Sequence, residues 1–212
     1  MSVIKSEIAL LNFYRASELH GGLILGQVVR RATDPRVIQS LTRHSAEELA
    51  HAQLLTEAII AIGGSPAPVR STWQTRYAEA VGAPRTMLEV LAMTQIVERR
   101  VHRHFTIHLG IAGIHPAVAA TLRRISHEER AHLSWVKAWL DQHSKEHGHE
   151  VRDVLRRYAL ADQHVRDPLS TTATETQKHR GQPALRAVPP WRKPFSLIVN
   201  CNYDRSCSSK EK

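Results

Sequence analysis

Apolar residues recur at three- and four-residue steps from residue 3 to residue 31, through Ile8, Leu11, Tyr14, Leu25 and Val29, and predict one long amphipathic helix. Thr33-Asp34-Pro35 follows, an Asp suited to an N-cap and a Pro suited to the first turn of a new helix. That second helix is predicted over 34–62 and ends at Gly63-Gly64-Ser65-Pro66. Residues 63–84 read as a link with room for a short helix around Trp73 to Ala80. Two more helices are predicted over 84–109 and 116–143, joined by a turn from Gly110 to Pro116, and a short additional amphipathic helix over 150–164.

The loop lengths constrain the topology. Each short turn makes its two helices antiparallel neighbours, whereas a link of 22 residues, extended, spans roughly 70 Å, more than the roughly 45 Å of a 30-residue helix. The expectation is an all-α four-helix bundle: two antiparallel hairpins joined by a long crossover.

The second and fourth helices are related. Residues 41–51, LTRHSAEELAH, and 122–132, LRRISHEERAH, are identical at seven of eleven positions, so the two hairpins are expected to be equivalent. Each repeat carries Glu-x-x-His, which puts a carboxylate and an imidazole on one helix face a turn apart, able to converge on one cation. One such motif is weak evidence, and Glu146-x-x-His149, a third instance, reads as a solvated helix end. Registry strengthens the other two. The midpoint between Glu18 and Glu48 falls at residue 33, in the first turn, and that between Glu98 and Glu129 at 113–114, in the second. All four carboxylates therefore belong to one layer, each about 22 Å from its turn.

Four exposed charges would be the plain alternative, but helical phase opposes it. At 100° per residue, Leu11 and Leu25 lie within about 20° of Glu18, Leu41 and Leu55 of Glu48, Leu91 and Phe105 of Glu98, and Leu122 and Val136 of Glu129. Four carboxylates on the apolar stripe must take up protons or bind cations, and two divalent ions supply +4 against their −4. The expected metal ligands are Glu18, Glu48, His51, Glu98, Glu129 and His132.

This set resembles the ligands of the ferritin-like diiron carboxylate proteins, over roughly residues 3–143. The two Glu-x-x-His helices are similar to those of bacterioferritins, rubrerythrins and diiron oxygenases. The resemblance implies two iron ions, with Glu48 and Glu129 bridging them, Glu18 and Glu98 as terminal carboxylates, and His51 and His132 as terminal imidazoles. Carboxylate plus imidazole also admits manganese and disfavours magnesium and calcium. His44, one turn before Glu48, and His102, one turn after Glu98, are candidates for an extra ligand, a proton relay or a partner of a ligand, against packed or partly solvated histidines. Tyr14, one turn before Glu18, is a candidate ligand partner or a core tyrosine. Glu47 and Glu128 are candidates to orient a histidine across the bundle or are surface charges. Gly21-Gly22 leaves space beside Glu18, for a close helix or a pocket.

Composition adds bounds. A chain of 212 residues, 42% hydrophobic, supports one core with extensions: a bundle over 1–165 and a flexible basic tail over 166–212, rich in Ser, Thr, Pro and Lys or Arg. Cys201 and Cys207, the only cysteines, supply neither a disulfide framework nor a four-cysteine metal module. No apolar run reaches the roughly 18–20 residues of a membrane span and the N-terminus is not uniformly apolar, so a cytoplasmic chain is expected. The formal charge of +9 is compatible with a nucleic-acid partner, but about half the excess lies beyond residue 141 and charge alone does not demand one.

The functional expectation is an oxidoreductase that activates O2 or peroxide at a dinuclear iron centre, drawing on an external electron donor and forming a homo-oligomer, a dimer, with the substrate unnamed. The alternatives are a ferritin-type ferroxidase and iron store, and a bundle that metal merely cross-links. Paired CxxC motifs are absent and Gln95 stands one turn before Glu98, unlike rubrerythrins; Met87 and Met93 lie on the third helix, so the haem methionine of bacterioferritins has no clear counterpart.

Overall fold

The computed structural model describes residues 3–165, with side chains from residue 5. These residues form five helices and no strand: α1 (Val3–Val29), α2 (Pro35–Ala61), α3 (Trp73–Val81), α4 (Met87–Leu109) and α5 (Pro116–His164). None is long and apolar enough to cross a membrane. Residues 166–212, where the sequence predicts a flexible basic tail and where both cysteines fall, lie outside the described residues.

Local chemistry starts and stops the helices where they begin and end. Asp34 accepts hydrogen bonds from the backbone N–H of Arg36 and Val37, and Pro35 opens α2. Gly63, at φ 76°, ends α2 in the left-handed region that a residue with a Cβ enters at a cost. Thr72 with Thr75 and Thr86 with Glu89 form reciprocal capping boxes at the starts of α3 and α4.

α1 packs along α2, and α4 along α5. Ser45 donates to the Gly22 carbonyl at 2.7 Å while Ile8 lies against Gly64, so α1 and α2 run antiparallel in the register that the midpoint at residue 33 predicts. The crossover link carries α3, docked on α1: Trp73 N–H reaches Ser17 Oγ, the Gln74 amide donates to the Ser17 carbonyl, and His20 bonds the Thr72 hydroxyl at 2.7 Å. The short helix expected around Trp73 to Ala80 is thus part of the packing. The stretch expected as a separate helix over 150–164 is the second arm of α5, beyond a kink at His147 (φ −122°, ψ 36°). This arm returns along α4: Arg157 pairs with Glu89 near the start of α4, and Arg100 reaches the Asp162 side chain at 2.5 Å and the Val165 carbonyl at 2.7 Å.

Two apolar clusters fill the bundle. One contains Leu11, Leu55, Phe105 and Leu122, the other Leu25, Leu41, Leu91 and Val136, all buried. These are the eight residues that share a helical phase with the four glutamates, each about two turns before or after one of them. The carboxylate layer therefore lies between two dry layers.

Candidate metal centre

Glu18 from α1, Glu48 and His51 from α2, Glu98 from α4, and Glu129 and His132 from α5 are all at least nine-tenths buried. They form two groups whose ligand-capable atoms lie within 4.8 Å of one another: Glu18, Glu48, His51 and Glu129, and His44, Glu48, Glu98 and His132. Glu48 belongs to both. Glu129 also reaches both histidines, its Oε1 3.0 Å from His51 Nδ1 and its Oε2 3.0 Å from His132 Nδ1. Of the remaining carboxylates, Glu18 Oε2 is 3.6 Å from His51 Nδ1, Glu48 Oε1 3.3 Å from His132 Nδ1, and Glu98 Oε1 3.2 Å from His44 Nε2.

Both imidazoles are held by the opposite hairpin. His51 Nε2 donates to Glu128 of α5 at 2.9 Å, and His132 Nε2 donates to Glu47 of α2 at 2.9 Å. The crossed pair follows from the repeat, because each acid precedes its own hairpin's ligand glutamate and faces the other hairpin's histidine. With Nε2–H committed to a carboxylate, a neutral ring turns its Nδ1 lone pair toward the four glutamates.

The residues fit a pair of cations. His51 Nδ1 and Glu129 Oε1 lie 3.0 Å apart, both buried, without the alignment of a hydrogen bond. Burial raises Glu18 to about 7, with the Glu48 charge adding to it, and raises Glu98 to about 8, with Glu129 adding to it. Glu48 is raised as well, by burial and by Glu98. Burial lowers His51 and His132, but the facing carboxylates outweigh it and push them up to about 12 and about 11. Without metal the layer is thus held together by protons. Metal ions bound here would replace those protons.

His44 is fully buried, and its Nδ1 accepts a hydrogen bond from the Trp135 indole N–H at 3.1 Å. Indole only donates, so the proton of neutral His44 is on Nε2, 3.2 Å from both Glu48 Oε1 and Glu98 Oε1. In this tautomer His44 is a donor to two carboxylates, and it also belongs to the second metal-capable group. Its ring also stacks on His132, centroids 3.6 Å apart.

Other candidates fall elsewhere. His102 is partly exposed and outside both metal-capable groups; the buried histidines at that end of α4 are His104 and His108, which the sequence reading passed over. Tyr14 is a core residue, packed on Phe105 with ring centroids 4.9 Å apart. Glu146 and His149 are solvated, their side chains 83% and 85% exposed. The glycine pair divides its roles. A Cβ on Gly21 would meet Glu48 Oε2 at 2.8 Å, whereas one on Gly22 would meet Leu49 and the Ser45 carbonyl at 3.0 Å, so only Gly21 makes space at the site. Gln74 also lines the site. No periodicity marks it, because it enters from the crossover link.

The family model for the ferritin-like domain matches residues 28–145, from the end of α1 to the middle of α5. No curated protein and no solved structure matches the chain.

Proposed function

This chain belongs to the ferritin-like domain family, and we propose that its buried carboxylate layer is a dinuclear iron centre serving an oxidoreductase that acts with O2 or peroxide. One observation carries the reading: two metal-capable groups share Glu48 at the centre of the bundle, and each ends on a histidine oriented from the opposite hairpin. Glu18, His51, Glu98 and His132 would hold one side each, with Glu48 and Glu129 between the ions. Four carboxylates and two imidazoles favour iron or manganese over magnesium and calcium. A pair of ferrous ions supplies two electrons together. Glu47 and Glu128 fix the histidine tautomers, His44 aligns Glu48 and Glu98, and the flanking leucines exclude water.

Aerobic Fe(II) titration with assembly size measured in parallel tests this. The enzyme reading predicts a small oligomer that stops near two irons per chain and consumes O2 or peroxide with an external reductant. Glu48→Ala and Glu129→Ala should each abolish the paired site. Uptake far beyond two irons in a large hollow shell would replace the enzyme by an iron store, and two ions retained tightly in both variants would overturn the ligand assignment.

A further inference from the structure

Glu18, Glu48 and Glu98 line a common cavity of ≈ 20 Å³. That volume admits about one or two water-sized molecules, enough for a diatomic. Gln74 of α3 lines the same cavity and is more than nine-tenths buried. Its Nε2 donates to the Ser17 carbonyl at 3.0 Å. A carbonyl only accepts, so the amide cannot be turned over, and the other atom of the amide is an acceptor. That acceptor, Oε1, is buried with no hydrogen-bond partner. Gly21 completes the arrangement: a Cβ there would lie 2.8 Å from Glu48 Oε2 and 3.3 Å from Gln74 Nε2, so a bare α1 backbone lets carboxylate and amide border the same space.

We propose that Gln74 is a specificity-determining residue that makes this cavity a receptor for hydrogen peroxide in preference to dioxygen. The proposal rests on the dinuclear iron reading of the site. A buried acceptor is satisfied only by a ligand with a proton to give. Hydrogen peroxide is nearly as small as dioxygen and donates from either oxygen; dioxygen has no donor. Two ferrous ions held by Glu18, Glu48, His51, Glu98, Glu129 and His132 would supply the two electrons, and solvent the two protons, that reduce hydrogen peroxide to two waters.

The test uses the full chain, wild type, Gln74→Leu and Gln74→Met. Each protein is loaded anaerobically with Fe(II), its metal is counted, and its oxidation by hydrogen peroxide and by O2 is followed separately in stopped flow. Losing one neutral hydrogen bond should lower the peroxide-to-O2 rate ratio about five- to tenfold. Binding is read without turnover in zinc-loaded, 15N-labelled protein, where added hydrogen peroxide should shift the Gln74 side-chain amide signals. Gln74→Met keeps the side chain's length and shape and so answers the question if Gln74→Leu does not fold. Two metals per chain with an unchanged peroxide-to-O2 rate ratio, or with an unmoved Gln74 amide, overturns the role of Gln74 and leaves the metal centre standing. Fewer than two metals in the wild type overturns both.

Discussion

At the scale of single residues, the crossed acid–histidine pairs are the arrangement most open to test. Glu128 has its carboxyl held low although burial raises it, because His51 and Arg124 bind its ionised form. Glu128→Gln and Glu47→Gln keep the shape but remove the charge that stabilises an Nε2–H imidazole. Each should weaken metal binding roughly 10- to 100-fold without unfolding the protein, as isothermal titration with Mn(II) or Co(II) would show; affinities within twofold of wild type would remove both acids from the site. The sequence made the buried glutamates and histidines of this layer legible because spacing, turn midpoints and helical phase all locate a residue along a helix. It named Glu47 and Glu128 only as alternatives to surface charge, since phase does not say which opposing side chain an edge residue meets. His102 shows the same limit: one turn from Glu98 also describes a residue on the flank of the helix, and His102 lies there partly exposed, as its partly solvated alternative has it. Gln74 carried no signal, because neither period nor spacing relates a link residue to the bundle.

At the scale of helices, close approach and docking decide which contacts matter. The backbone of α1 can approach α2 at Gly22 because no Cβ intervenes, and Ser45 Oγ binds the Gly22 carbonyl there. Gly22→Leu should therefore act on the α1–α2 contact rather than on the site, costing roughly 1–3 kcal/mol of stability by overpacking; a thermal melt unchanged within 1 °C would show that the helices separate freely. The helix boundaries were readable to within a few residues, since Asp34-Pro35, Gly63 and Thr86 each impose a local geometry. The course of α5 beyond His147 was not, because a return along α4 depends on partners far away in sequence: Arg100 with Asp162, and Arg157 with Glu89. Arg100 also covers the Trp73 ring at 4.6 Å, tying the returning arm to the crossover helix. Arg100→Leu should cost roughly 2–3 kcal/mol through lost charge-assisted hydrogen bonds and should raise hydrogen exchange in 150–164 before it does so in α1 or α2. Uniform exchange across the five helices would instead make the arm an inseparable part of the core.

At the scale of the whole molecule, the buried layer couples stability to pH, and the direction follows from which state holds more protons. Glu18 and Glu98, lifted by burial to about 7 and about 8, keep protons in the metal-free fold that the unfolded chain releases above about 4.5. Their contribution is fully present below that lower value and is lost as pH rises through 7 to 8. His51 and His132 act in the same direction: the fold holds their protons up to about 12 and about 11, while the unfolded chain releases them near 6.5. The metal-free protein should therefore lose thermal stability steadily from pH 5 to pH 8. Metal reverses the demand, since it binds deprotonated carboxylates and neutral Nδ1 atoms, so its affinity rises over the same range. The gap in Tm between protein with two equivalents of Mn(II) and protein with chelator should accordingly widen with pH. Melts at pH 5, 6, 7 and 8 with and without metal measure both trends. A metal-free Tm that stays level or climbs across this range would mean that Glu18, Glu48 and Glu98 do not hold protons in one dry layer, and the dinuclear reading would lose its electrostatic basis.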